Sequence, residues 1–343
     1  MNMDDISRLP ASERIEYFNQ AAALLGTLSP QLIEKDYWVC WLLRRAFELD
    51  GIRSHMTFKG GTSLSKAYGA IHRFSEDVDL AIERSYLGFE GEKAPENAAS
   101  GKQRKRRCEE LQSACQQMVA KHFLPKLREQ VAPILYEKSW ALEMDTTDPY
   151  KQSINFKFPS TALTGKDSYF LPSIKLELGA RSDHFPVELR NVHPYLHDAY
   201  PNILSDPETE VRVLHIERTY WEKATILHML AHKPRETPLA IRMSRHYYDL
   251  YLLNTHPDSR DAWHKKDLLS RVAANKTMYF SSAMAKYNEA RPGSLRLVPD
   301  ETRVGELELD YAKMKPMFFK ERPGLNEILA GLGRLESEIN TLP

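Results

Sequence analysis

Cysteine is nearly missing from this sequence. The 343 residues hold three, Cys40, Cys108 and Cys115, an odd and scattered set that gives neither a disulfide framework nor a metal-ligand spacing. An excess of one charge sign is missing too, since Lys plus Arg (47) equals Asp plus Glu (47). No global field then advertises nucleic acid or membrane as a partner, although a local basic stripe still suffices for an RNA contact. Long apolar runs are absent. Nothing approaches the roughly 18 apolar residues of a membrane helix, and Met1–Pro10, with Asp4 and Asp5, lacks the apolar run of a secretory signal. These absences predict a cytoplasmic protein with no membrane partner. No internal repeat or low-complexity tract stands out either, and the length suits two domains or one elaborated domain.

What is present is patterning. Residues 12–25 and 29–49 read as amphipathic helices, the second opening on Ser29-Pro30 and stopping near Asp50-Gly51. Met56–Lys59 predicts a short strand that ends on Gly60-Gly61, with Thr62 capping a helix to about Ile71. Asp77–Ile82 alternates polar and apolar like a half-buried strand. Residues 85–105 look like a mobile insertion, 106–131 like a helix, and 134–144, 151–158 and 171–179 like strands. From Glu217 the pattern turns helical, at about 217–232, 239–254, 265–290 and 324–340. This order predicts an α/β (α+β) catalytic half over 1–215 and a helical domain over 216–343.

Two short segments carry chemistry. Lys59-Gly60-Gly61-Thr62-Ser63 is a strand end, a glycine pair and a helix start. Glycines allow close backbone approach, and helix N-termini favour phosphate, although the spacing of a Walker A loop is absent. Asp77 and Asp79 are i and i+2 of a strand, so their side chains share a face with Cα atoms roughly 6.5 Å apart. Two carboxylates so placed repel unless a cation lies between them, and hard cations such as Mg²⁺ take oxygen ligands. An isolated Asp-x-Asp is more often a solvated strand edge than a metal site. Here the carboxylates follow the glycine turn closely enough to meet it.

Taken together, Gly60-Gly61-Thr62-Ser63-Leu64 and Ser75-Glu76-Asp77-Val78-Asp79-Leu80 resemble the nucleotidyltransferase signature of the AbiEii/AbiGii toxin family, which also includes the mycobacterial MenT toxins. Glu34-Lys35-Asp36-Tyr37-Trp38, Lys223 and Tyr247-Tyr248-Asp249-Leu250 extend the resemblance over roughly residues 30–255. It implies a polymerase-β-like nucleotidyltransferase core with a mixed sheet. It also implies Mg²⁺-dependent use of a nucleoside triphosphate (NTP), a separately encoded antitoxin partner and a place in phage defence. For some members it implies nucleotide addition to tRNA at the 3′ end, which blocks translation and growth.

On that basis Asp77 and Asp79 are expected to hold metal. Glu177 is a candidate third ligand and shares a strand face with Lys175 in Ile174–Leu178. An ordinary amphipathic strand with exposed charges fits these two residues equally well, and the fold commonly places Asp at the third position. Lys59, Gly60, Gly61, Thr62, Ser63, Ser75 and Lys175 are candidates for the triphosphate. For Ser75 a turn-stabilising hydroxyl serves as well. Lys223 stands on an apolar helix stripe and Asp249 among Tyr and Leu residues, so both are forced inward. They are either a structural ion pair or, as the resemblance implies, a phosphate-binding lysine and its orienting carboxylate. Transfer of the γ-phosphoryl group by a kinase and a non-catalytic RNA- or protein-binding scaffold also stay open. The basic run Lys102, Arg104–Arg107 is either a solvated face or an RNA contact. His228 and His232, at i,i+4 without the glutamate of a zinc-protease motif, point to core or surface roles.

Overall fold

The computed structural model describes residues 1–136, 138–161, 171–280 and 282–342. The chain divides into two compact units, Met1–Ala67 with Phe74–Val213, and Tyr68–Arg73 with Leu214–Pro343. The first is α/β, built on a mixed seven-stranded sheet of β1 (Met56–Lys59), β2 (Asp77–Ile82), β3 (Ala141–Met144), β4 (Ser153–Lys157), β5 (Ser173–Gly179), β6 (Val187–Val192) and β7 (Thr209–Leu214). The order is β3-β4-β5-β2-β1-β7-β6. Strand β2 lies antiparallel to β1 and parallel to β5, which places the Asp-x-Asp strand at the centre of the sheet.

Around the sheet run α1 (Met3–Arg8), α2 (Ala11–Leu25), α3 (Pro30–Phe47), α4 (Gly60–Lys66), α5 (Gly101–Met118), α6 (Leu124–Leu135) and α7 (Tyr195–Ala199). Helix α3 starts as its sequence dictates, with the Ser29 hydroxyl accepting from the Leu32 N–H and Pro30 in the first turn. Its Trp38 and Trp41 are fully buried and stack on Phe158 and Phe156, at centroid distances of 5.7 and 6.0 Å. Truncating either tryptophan to alanine is expected to cost about 3–5 kcal/mol.

The second unit is helical, with α8 (Ile216–Ala231), α9 (Ser244–Leu253), α10 (Lys266–Tyr279), α11 (Val304–Lys313) and α12 (Leu325–Asn340). Among the described residues no helix is long and apolar enough to cross a membrane.

Several boundaries depart from the sequence pattern for local reasons. Residues 134–135 end α6, so of the expected strand 134–144 only Ala141–Met144 pairs, and residue 137 lies outside the described residues. Helix α9 starts at Ser244 because Arg242 takes a left-handed conformation (φ 64°). Helix α10 ends at Tyr279, with Lys286 left-handed (φ 45°) between short 3₁₀ turns; residue 281 lies outside the described residues. The segment after β2, expected to be a mobile insertion, is tied down. Three 3₁₀ turns span it, the Arg107 guanidinium donates to the Ala94 carbonyl (2.9 Å), and Arg84 pairs with Glu96 (3.0 Å).

Candidate active site

Residues paired across a β-ladder share a face of the sheet. Registers across β1, β2, β5 and β4 therefore give one row of Lys59, Asp79, Glu177 and Ser153, and a second of Asp77, Lys175 and Asn155. The other face carries Phe58, Val78, Leu80, Leu176 and Ile154, all fully buried. The period-2 alternation of β2 and β5 thus gathers every sheet-borne candidate on one polar face.

Glycine at position 60 is a steric requirement. Its φ is +79°, and a Cβ built there would lie 1.9 Å from Asp79 Oδ2. The Asp79 carboxylate rests against bare backbone, with Lys59 Nζ 3.9 Å from its other oxygen. The start of α4 corrects one expectation. Lys59, not Thr62, occupies the cap position, and Thr62 lies inside the helix, which ends at Lys66 before the left-handed Gly69. Buried Thr62 donates its hydroxyl to the carbonyls of Asp77 and Ser75 (3.3 Å to the latter), and Ser63 donates to the Gly60 carbonyl at 2.9 Å. Both hydroxyls tie the glycine turn together.

Asp145, just beyond β3, joins the polar face and was not legible as a site residue. Its Oδ1 accepts from the Thr147 N–H (2.9 Å) and hydroxyl (2.6 Å), and its Oδ2 lies 3.3 Å from Lys175 Nζ. The Thr147 bonds, with Lys175 behind them, hold its carboxyl below the ordinary range. Lys175 also sits 3.1 Å from Glu177. Partial burial pushes its ammonium down, but Glu177 and Asp145 more than offset this and hold it above its usual value. The approach of Asp145 to Lys175 depends on the β3–β4–β5 register.

Helix α3 braces both chemical segments. Lys35 Nζ lies 2.6 Å from Glu76, the residue before Asp77. Asp36 forms an ion pair with Lys66 at the end of α4 (2.8 Å) and accepts from the Tyr195 N–H (2.6 Å), and the Lys66 ammonium stands 3.6 Å from the Tyr195 ring centroid. Beside them, Glu34 accepts from the N–H and hydroxyl of Thr161. None of these partners is near in sequence.

Lys223 and Asp249 belong to the second unit, where they form an ion pair (2.7 Å). A third member, Arg73, was missed by sequence reasoning. It donates Nε and Nη2 to the two Asp249 oxygens at 2.7 and 2.8 Å. Burial pushes the Asp249 carboxyl up, but Arg73 and Lys223 outweigh it and hold the group well below its usual value. Burial, aided by the positive charge of Arg73, lowers the Lys223 ammonium. His246 Nδ1 lies 3.3 Å from Lys223 Nζ, and burial together with Lys223 keeps that ring neutral. The one carboxylate of Asp249 thus receives two cations, Arg73 and Lys223.

Among the described residues no group of three or more His, Cys, Asp or Glu is gathered as a ready metal site. The donor chemistry nonetheless suits a hard divalent cation. Asp77, Asp79 and Glu177 offer oxygen only, on one face, and the missing side chain at Gly60 leaves room for the central carboxylate.

A family model for the nucleotidyl transferase AbiEii toxin of type IV toxin–antitoxin systems matches residues 41–330. The chain belongs to this family. It is a nucleotidyltransferase toxin of a type IV toxin–antitoxin system. Among solved structures, the chain is similar to MenT4, a nucleotidyltransferase toxin from Mycobacterium tuberculosis H37Rv, with a TM-score of 0.51 and 13% identity over 95% of this chain and 90% of that one. That likeness shows a shared fold. No curated relative matches the chain.

Proposed function

We propose that this AbiEii-family toxin transfers the nucleoside monophosphate of an NTP to RNA, with the 3′ end of tRNA as acceptor and Mg²⁺ as its cation. The observation that carries the reading is the Asp79 carboxylate lying against the bare Gly60 backbone, on a face shared with Asp77 and Glu177. The reaction is an in-line attack of the acceptor hydroxyl on the α-phosphorus: one P–O bond forms, the bond to the β-phosphate oxygen breaks, and pyrophosphate leaves. Asp77, Asp79 and Glu177 would hold Mg²⁺, which supplies charge stabilisation at the phosphoryl oxygens. Backbone N–H groups of the Gly60-Gly61 turn and the Lys59 and Lys175 ammoniums would bind and orient the triphosphate. For Lys223, anchored by Asp249 in the second unit, the family resemblance implies a phosphate-binding role. A tRNA so extended no longer serves translation, which would stop growth until the antitoxin intervenes.

The test incubates purified protein with each α-labelled NTP, Mg²⁺ and total RNA. Label should enter tRNA from the α position and not from the γ position, and Asp77→Ala or Asp79→Ala should remove transfer while circular dichroism stays unchanged. Transfer at the wild-type rate in either variant would sink the site.

A further inference from the structure

The charge order along α5 is the reverse of what stabilises a helix. Its first turn holds no acid, and Lys102, Arg104, Lys105 and Arg106 crowd its N-terminal end, where the helix dipole favours negative charge. Glu109 and Glu110 follow, so the Lys105/Glu109 and Arg106/Glu110 spacings run in the weaker direction for i,i+4 pairs. All four cations are exposed. Arg106 reaches Glu110 at 3.4 Å with its side chain still 68% exposed. Among the described residues, Lys102, Arg104 and Lys105 have no ion-pair or hydrogen-bond partner for their side chains. Lys102, Lys105 and Arg106 lie at i, i+3 and i+4, on the side of the helix away from the buried Leu111 and Cys115. In a chain with no net charge, this is a local positive stripe maintained against the helix's own electrostatics.

The stripe is fixed to the catalytic sheet. Gln152, the residue before β4, donates to the Gln112 carbonyl at 3.2 Å, and Gln116 donates to the Tyr150 carbonyl at 2.7 Å. Arg107, beside the stripe, is bonded to the Ala94 carbonyl and braces the helix start. We propose that this face of α5 is a docking surface for the phosphate backbone of the RNA acceptor, resting on the reading above that the acceptor is RNA. The occupant follows from charge complementarity. Exposed lysines without ion partners, beside an Arg106 that stays largely exposed, suit a polyanion with regularly spaced phosphates, and their removal should lower affinity without regard to base sequence.

The test compares the wild type with a variant carrying Lys102→Gln, Lys105→Gln and Arg106→Gln. Binding of a labelled total-tRNA pool is followed by anisotropy as salt is varied, beside thermal melting and the α-label transfer assay. Affinity should fall at least about tenfold near physiological salt, and the slope of log K against log salt should flatten by about 0.7–0.9 for each phosphate that the variant no longer neutralises. The melting temperature should stay level or rise, because the removed charges oppose the helix dipole. Unchanged RNA affinity and slope in the variant, or no RNA binding by the wild type, overturns the docking surface. Label entering a protein instead of RNA overturns the RNA-acceptor reading, and the binding measurement still decides the stripe separately.

Discussion

Gly60 and His228 show how a single position constrains this toxin. At Gly60 the added methyl of Gly60→Ala would collide with Asp79 Oδ2, and φ +79° disfavours any side chain. The strain is expected to cost roughly 1–2 kcal/mol. The larger effect should be a displaced Asp79, with label transfer falling about 100-fold or more, because a misplacement near 1 Å costs that much. Single-turnover transfer at matched folded fraction measures it, and a near-normal rate would remove Asp79 from the mechanism. His228 is fully buried, with Nε2 3.1 Å from the Lys286 carbonyl and Nδ1 3.1 Å from the Arg296 N–H. That pairing fits only a neutral ring, and burial lowers its pKa to about 4. Between pH 6.5 and about 4 the unfolded chain holds a proton that the fold refuses, so stability falls as pH falls through this window. The loss approaches roughly 3 kcal/mol at the acid end. His228→Gln should flatten that slope in denaturant titrations at pH 7 and 4.5; an unaltered slope would assign the dependence elsewhere. At this scale the sequence yielded Asp77, Asp79 and the glycine pair because they are contiguous. Asp145 and Arg73 escaped because their partners, Lys175 and Asp249, lie 30 and 176 residues away.

Helix α3 does at the level of elements what Gly60 does at one position. Its consecutive Lys35 and Asp36 hold the residue before Asp77 and the end of α4, so the glycine turn and the carboxylate strand share one support. Lys66→Met would leave the Asp36 carboxylate buried with its strongest partner gone, a loss of about 3–5 kcal/mol in urea unfolding. Adding Asp36→Asn should recover part of it. A single variant as stable as the wild type would show that the pair carries no brace. Elements with strong periodicity were legible in the sequence: α3, β2, β5, α8 and α12 lie within a few residues of their expected spans. Strands β6 and β7 were not. The first is the sheet edge, with Leu189 62% exposed, so its alternation is inverted, and the second is a short run after a proline-containing turn. Helix α1 did carry a readable signal, the capping box of Asn2 and Asp5, which composition alone passes over.

Over the whole molecule the charges cancel, so binding depends on where they are left unbalanced. Two places among the described residues illustrate this, the α5 stripe and the polar sheet face. On that face the carboxylates of Asp77, Asp79, Glu177 and Asp145 stand beside Lys59 and Lys175. Lys59 beside Asp79, and Lys175 between Asp145 and Glu177, offset part of the repulsion among these carboxylates, so the face should fold without metal. Chelation should therefore abolish label transfer while leaving the protein folded, and returning Mg²⁺ should restore it. Because the cation would bind only the folded chain, millimolar Mg²⁺ should also raise the melting temperature, by an amount worth about 2.7 kcal/mol at 100 times its dissociation constant. Asp79→Asn should remove that rise even where its own stability is unchanged. Transfer that persists after thorough chelation, or a rise that Asp79→Asn leaves intact, would place the cation somewhere other than this face.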